Sequence, residues 1–237
     1  MRLIAHRGAS GLAPENTLAA FRLARELGAS AVELDVHQAA DKELVVIHDE
    51  DLRRTAGRSE HIRDLSWQEL CRFDVGSWFA PRFSGERVPR LDEVFDAVGA
   101  KIEVHVEIKR GSSRYPGIEQ RLVALLRRRR RLKTCVVSSF DHEALAAARA
   151  LEPDLRVGYL LGETPLESAW KELAGLKAES LHLSRRQVTP ARVAACHRRR
   201  LRALVYTVDD AAQARRLAAM GVDGIFSNFP QLLAKAA

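Results

Sequence analysis

A chain of 237 residues suits one barrel-sized domain or two small ones, and its 46% hydrophobic content is ordinary for a soluble globular protein with a substantial core. No apolar run approaches the roughly 20 residues that a membrane span needs, so stable membrane insertion is not expected. The formal charge of +7 invites a nucleic-acid reading. Its excess lies largely in Arg127–Arg131 and His197–Arg200, near predicted helix ends where cations complement the helix dipole, and it lacks the interleaved aromatics of a single-strand binding groove. No nucleic-acid partner is therefore expected, and a passive polyanion-binding scaffold is the disfavoured rival.

In chain order, the first element is a strand closing on His6. A loop through Pro14 leads to Asn16, the predicted N-cap of a helix that places Leu18, Phe21, Ala24 and Leu27 on one face. Gly28 stops it, and the next strand is Ala31–Val36. Too few residues separate Val36 from Leu44 for a parallel crossover, so a hairpin turning near Asp41-Lys42 is expected, with His48 folded back roughly opposite Asp35. From Asp49 to about Pro89 the pattern is irregular but holds Trp67, Phe73, Trp78, Phe79 and Phe83. That many aromatics argue for a small insertion with its own apolar patch, packed beside or over the mouth of the main domain.

The alternation then resumes, with a helix from about Asp92 to Val98 and strands at Ile102–Lys109, Cys135–Ser139, Leu155–Leu160, Ser180–Leu183, Ala203–Val208 and Asp223–Ser227. Asp141, Thr189-Pro190 and Asp209 are helix-start signals between them. Without the hairpin arm this makes eight strands, each followed by a helical segment. The fold class is therefore α/β, a (β/α)8 TIM barrel spanning residues 1–237 as one catalytic domain, with an insertion at about 49–89 after the second barrel strand. An open doubly wound sheet is the alternative, but its Gly-rich phosphate fingerprint is missing after the first strand.

Side chains two apart on a strand share a face. The strand from Ile102 thus divides into an apolar face (Ile102, Val104, Val106, Ile108) and a polar one (Glu103, His105, Glu107, Lys109). In a barrel the second face looks inward, where branched apolar residues normally stack, so its C-terminal end marks an active site. For the deeper Glu103 and His105 a structural hydrogen-bond network is at least as good a reading. Glu33, Asp35 and Glu107 then supply three oxygen ligands from neighbouring strand ends; carboxylates without cysteine suit one divalent cation, Mg²⁺ or Ca²⁺, better than zinc. The competing account pairs these acids with Arg7 and Lys109 in a buried salt-bridge network. His6 and His48 suit general acid–base work because imidazole titrates near neutral pH, and Arg7 and Lys109 suit a phosphate. His37 shares a face with Asp35 but is assigned to the hairpin rim. Cys71, Cys135 and Cys196 are odd in number and lack metal spacing, so they read as reduced thiols of a cytoplasmic protein. No signal peptide is apparent, the first strand beginning almost at once.

The segments His6-Arg7-Gly8, Pro14-Glu15-Asn16-Thr17, Glu33-Leu34-Asp35-Val36, Val46-Ile47-His48-Asp49 and Glu107-Ile108-Lys109 together resemble the glycerophosphodiester phosphodiesterase family. Ser138-Ser139-Phe140, Tyr206-Thr207-Val208 and Gly221-Val222-Asp223-Gly224-Ile225 extend the likeness over nearly the whole chain. The resemblance implies a (β/α)8 barrel that uses a bound divalent cation to hydrolyse small glycerophosphodiesters to sn-glycerol 3-phosphate and an alcohol. It implies His6 and His48 as catalytic, Glu33, Asp35 and Glu107 as metal ligands, and Arg7 and Lys109 as phosphate-binding cations. Tyr206 stands where tryptophan is common, on the wall expected to contact substrate, and Ser227-Asn228 stands where Thr-Asp is common, at a strand end. The alternative activity is that of a lysophospholipase D or phospholipase-like phosphodiesterase on larger lipids.

Overall fold

Eight parallel strands close on themselves in the computed structural model, which describes residues 1–232: β1 (Arg2–Ala5), β2 (Ala31–Gln38), β4 (Glu103–Ile108), β5 (Cys135–Ser139), β6 (Val157–Leu160), β7 (Ser180–Ser184), β8 (Arg202–Tyr206) and β9 (Gly224–Ser227). The β1–β2 and β1–β9 pairings complete the ring, making the fold a TIM barrel. The remaining strand, β3 (Leu44–Val46), runs antiparallel to β2 on the outside, through a turn in which Lys42 takes a left-handed φ of 72°. Val36 faces Val46, and the Ile47 amide donates to the Asp35 carbonyl at 3.1 Å. Ile47, rather than His48, therefore lies opposite Asp35; the predicted hairpin is right and its register is one residue out.

The helices α1 (Leu18–Glu26), α4 (Leu91–Val98), α5 (Ile118–Arg128), α6 (His142–Leu151), α7 (Leu166–Gly175), α8 (Pro190–Arg198) and α9 (Ala211–Ala219) cover the barrel, while α2 (Arg53–Ala56) and α3 (Trp67–Leu70) belong to the insertion. After β9 the described residues hold only a 3₁₀ turn, Pro230–Leu232; residues 233–237, part of the expected 1–237 domain, lie outside the described residues. The main core is the layer between strands and helices, where the outward side chains Val104, Val106 and Ile108 join fully buried Phe21, Leu91, Phe95 and Leu122. Burial of one such side chain stabilises by about 1.5–3 kcal/mol. Inside the barrel the apolar cluster is small: Ile4, Ala31, Leu204 and Phe226.

Polar groups fill the rest of the interior, in layers. At the N-terminal end Glu103 accepts from Arg2 at 2.6 Å, Arg156 at 2.7 Å and the His105 ring at 3.0 Å, and Arg156 continues to Glu179 at 2.9 Å. The deep half of the polar face of β4 is thus a structural network. Above it the His105, His182 and Phe226 rings pack together, with centroids 5.1–6.1 Å apart. The C-terminal layer carries the site.

Two start signals shift by one residue. Thr17, not Asn16, caps α1, its hydroxyl accepting from the Ala20 amide; Asp210, not Asp209, caps α9. In both cases the displaced residue serves the site. The basic run Arg127–Arg131 also splits. α5 ends at Arg128, and Arg131 is 4% exposed, its guanidinium donating to the Phe95, Gly99, Ala100 and Ile102 carbonyls at 2.7–3.3 Å while lying over the Phe95 ring. A helix end leaves carbonyls without partners, and Arg131 satisfies those after α4. The insertion packs its own Leu52, Ile62, Leu70, Val75 and Val88 against Val45 and Ile47 of the hairpin arm. Among the described residues the three cysteines are free, and no helix is long and apolar enough to cross a membrane.

Candidate active site

The C-terminal mouth is assembled from adjacent strands in register. Asp35 on β2 faces Glu107 on β4, which in turn faces Ser138 on β5. Glu33 lies two residues below Asp35 on the same face. Ligand oxygens of Glu33, Asp35 and Glu107 all lie within 4.8 Å of one another, and all three residues are buried. Arg7 Nε is 3.1 Å and Lys109 Nζ 3.3 Å from the Asp35 carboxylate, and Lys109 Nζ is 2.8 Å from Glu107 Oε1. Beyond the Lys109 ammonium, Asp35 Oδ1 and Glu107 Oε1 have no partner among the described residues. Orphaned buried carboxylate oxygens of this kind call for a further partner.

The loop after β1 delivers Arg7 and the first histidine, while Lys109 follows β4. Arg7 (φ 54°) and Asn16 (φ 58°) both take left-handed backbone, a conformation that costs a non-glycine residue roughly 1–2 kcal/mol and concentrates at functional sites. In that conformation the Arg7 amide donates to Glu33 Oε2 at 3.0 Å, and Asn16 Nδ2 donates to Asp35 Oδ2 at 2.8 Å. Gly8 between them has φ 80°, and a Cβ there would meet Ala20 backbone at 2.7 Å. Only glycine lets α1 pack this close.

Both site histidines are held through Nδ1. His6 Nδ1 lies 2.7 Å from Asn228 Oδ1. Asn228 Nδ2 donates to Asp209 Oδ2 at 2.7 Å, which turns Oδ1 toward His6 and toward the Ser10 hydroxyl at 2.8 Å. An oxygen can only accept, so His6 carries its proton on Nδ1 and leaves Nε2 free. His48 Nδ1 lies 2.6 Å from Asp49 Oδ1, again leaving Nε2 unengaged. His37 is not a rim residue but a buried strut: its Nε2 donates to the His48 carbonyl at 3.0 Å, so its Nδ1 accepts from the Tyr115 hydroxyl at 2.7 Å. The period-two pattern through Glu33, Asp35 and His37 already placed it on this face.

The electrostatics follow from burial. Burial and the nearby Arg7 push His6 down to about 4. Burial lowers His48 as well. Burial and the charge of Asp35 raise Glu107 to about 7 and Glu33 well above the usual carboxylate range. At Asp35 burial works in the same upward sense, but Lys109, Arg7 and His48 outweigh it and hold the carboxyl well below its ordinary value. Three buried acids thus repel one another at the point where two cations fail to neutralise them. An all-oxygen donor set in this condition fits a hard divalent cation.

A cavity of about 240 Å³ gathers His6, Arg7, Glu33, His48, Glu107 and Lys109 on one wall, with Ser138, His182 and Thr207 beside them and Phe140, Leu160, Tyr206 and Phe226 forming an apolar wall. Every predicted site residue except Asp35, which lies just beneath, lines it. Tyr206 meets Phe140 edge-on at 6.3 Å, so the aromatic side is a paired surface. A larger groove of about 750 Å³ along α6 and α7 contains none of the predicted site residues.

Comparison with known proteins places the chain in a family. The profile of the glycerophosphoryl diester phosphodiesterase family matches residues 6–232. A glycerophosphodiester phosphodiesterase from Caldanaerobacter subterraneus subsp. tengcongensis is 38% identical over 98% of this chain and 95% of its own. The structure of an Oleispira antarctica phosphodiesterase in complex with the product sn-glycerol-3-phosphate superposes with a TM-score of 0.91 at 31% identity, covering 100% of this chain and 96% of that one. A glycerophosphodiester phosphodiesterase from Agrobacterium tumefaciens gives a TM-score of 0.85 at 31% identity, covering 99% of each chain. The chain belongs to the glycerophosphoryl diester phosphodiesterase family, and is an enzyme of the phosphoric diester hydrolase class.

Proposed function

We propose that this chain hydrolyses glycerophosphodiesters to sn-glycerol 3-phosphate and an alcohol, with His6 and His48 as the proton carriers. The observation that carries the reading is the pair of imidazoles, each held by Nδ1 with Nε2 free, around one cavity that also holds three carboxylates and two cations. The Oleispira antarctica relative, bound to sn-glycerol-3-phosphate, supports the substrate class. Glu33, Asp35 and Glu107 would hold one divalent cation, Mg²⁺ or Ca²⁺, which when bound offsets negative charge on the phosphoryl oxygens.

The chain's own residues account for the rest. Arg7 and Lys109 bind the phosphate and stabilise charge that grows in the transition state. His6, with a neutral amide behind it and burial holding it deprotonated, presents a lone pair on Nε2 and acts as the base. His48 has the Asp49 carboxylate behind it, which works against the lowering by burial, and it delivers a proton to the departing alkoxide. The nucleophile is the 2-hydroxyl of the substrate's glycerol: its oxygen bonds to phosphorus, the alcohol leaves, and water then opens the cyclic phosphodiester. Tyr206 and Phe140 form the wall against the glycerol or alcohol group.

The test is turnover of a small panel of glycerophosphodiesters, glycerophosphocholine among them, with and without chelator. Turnover that chelator abolishes, with His6→Gln and His48→Gln each slowed about 10²–10⁴-fold, is the expected result. If no substrate is turned over under any metal, the reading fails. A slowed variant should accumulate the cyclic phosphodiester, and its persistent absence argues for direct attack by water. Assaying a lysolipid beside glycerophosphocholine separates this activity from that of a lysophospholipase D.

A further inference from the structure

We infer that Arg54, on α2 of the insertion, is a positioning residue that orients His48 and Arg7 at once; this rests on the function proposed above. Its Nε donates to Asp49 Oδ2 at 2.7 Å, and its two terminal nitrogens donate to Glu15 Oε1 and Oε2 at 2.8 Å each. The other oxygen of Asp49 holds His48 Nδ1 at 2.6 Å, and Glu15 Oε1 also accepts from Arg7 at 2.9 Å. One guanidinium therefore stands behind both the imidazole and the phosphate-binding cation.

The geometry leaves little slack. Each Asp49 oxygen has a single partner, so the carboxylate cannot turn toward Arg54 without releasing His48. Glu15 is engaged by a fork, which fixes its plane as well as its place. Arg54 itself is held from the insertion side: its neighbours Leu52 and Thr55 are buried, and the Trp78 ring lies 5.8 Å from its guanidinium carbon. An ordinary surface ion pair is worth about 0–1 kcal/mol and orients nothing. Arg54 differs because each of its partners also holds a site residue: Asp49 through its other oxygen, Glu15 through Oε1, which it shares between Arg54 and Arg7. The insertion thereby acquires a task, to clamp the two sides of the mouth in one register.

Arg54→Met and Arg54→Lys, made in the full chain, test this through turnover of glycerophosphocholine, the thermal midpoint and imidazole ¹⁵N correlation spectra of His48. Arg54→Met should lower kcat about 10–100-fold, as loss of a group orienting a site ligand commonly does, while the thermal midpoint stays near that of the parent. Arg54→Lys should recover only part, since one ammonium cannot bridge both carboxylates. Asp49→Asn added to Arg54→Met should cost less than it does in the parent, because the two act on His48 through one shared contact. The His48 spectrum should change from a single Nδ1-protonated tautomer to a mixture. A spectrum that Arg54→Met leaves unchanged overturns the inference, whatever the rates; so do effects of Asp49→Asn and Arg54→Met that multiply. If the parent enzyme turns over nothing, the proposed function fails separately, and the spectrum alone still decides the role of Arg54.

Discussion

His6 and Asn228 are joined by a 2.7 Å contact between Nδ1 and Oδ1, and Asp209 behind Asn228 leaves the amide one orientation. A neutral acceptor thus fixes the tautomer of the imidazole proposed as the base, and favours its charged form less than a carboxylate in the same place would. Asn228→Ala should therefore lower kcat about 10–100-fold with little change in KM, since the ring loses its orientation and the phosphate cations are untouched. Asn228→Asp should lose the bond to Asp209, since a carboxylate cannot donate, but by placing negative charge at Nδ1 it should favour the imidazolium. The His6 pKa, lowered to about 4 by burial and Arg7, would then rise, so the free base would be lost at a higher pH. The acidic limb of the rate–pH profile should move upward; a downward move would contradict this role of Asn228.

Divalent cation should stabilise the fold more at pH 8 than at pH 6. Glu107 is raised to about 7 by burial and Asp35, so near pH 6 it holds a proton that a cation must displace, whereas at pH 8 it is ionised. An ion at 100 times its Kd stabilises by about 2.7 kcal/mol, and at about 2–4 °C per kcal/mol the midpoint should rise by roughly 5–10 °C. Glu107→Gln should remove most of that gain. Scanning calorimetry with and without Ca²⁺ at the two pH values checks it.

Tyr206 sets its ring edge-on to Phe140, and on the proposed function it would offer the substrate area rather than a hydrogen bond. Tyr206→Phe should therefore be nearly silent, and Tyr206→Ala should raise KM several-fold with a smaller change in kcat. Steady-state kinetics on glycerophosphocholine separates the two parameters.

Arg131 belongs to stability alone. Its buried guanidinium serves the Phe95, Gly99, Ala100 and Ile102 carbonyls at the end of α4 and beyond, and truncation removes that donor; Phe95 keeps the Gly99 amide. Arg131→Met should cost about 2–4 kcal/mol of unfolding free energy, at about 1–3 kcal/mol for a buried group left unsatisfied and with some carbonyls reaching water. KM should not move. Chemical denaturation and kinetics on the same variant test both halves.

Much of the fold was readable because barrel strands carry simple signals. Short segments, apolar or alternating and bounded by turn residues, located each of β1, β2 and β4–β9 to within a few residues, and the short Val36–Leu44 gap identified the hairpin. The acids were readable because period two put Glu33 with Asp35, and Glu107 with Lys109. Asn16 was misassigned because a polar residue before a helix normally caps it; here Thr17 caps, and Asn16 turns back to Asp35. Asp209 was misassigned for the same reason. Arg131 sat in a run of five arginines, and no local pattern distinguishes the one that points inward. Arg54, Asn228 and His37 act through partners 5 to 222 residues away in sequence, contacts that local spacing does not encode.

The most direct measurement is diffraction from this chain soaked with sn-glycerol 3-phosphate and Ca²⁺. The predicted result is one phosphate between His6 Nε2 and His48 Nε2, contacted by Arg7 and Lys109, beside an ion held by Glu33, Asp35 and Glu107. A phosphate seated outside this cavity, or an ion that avoids the three carboxylates, would contradict the account.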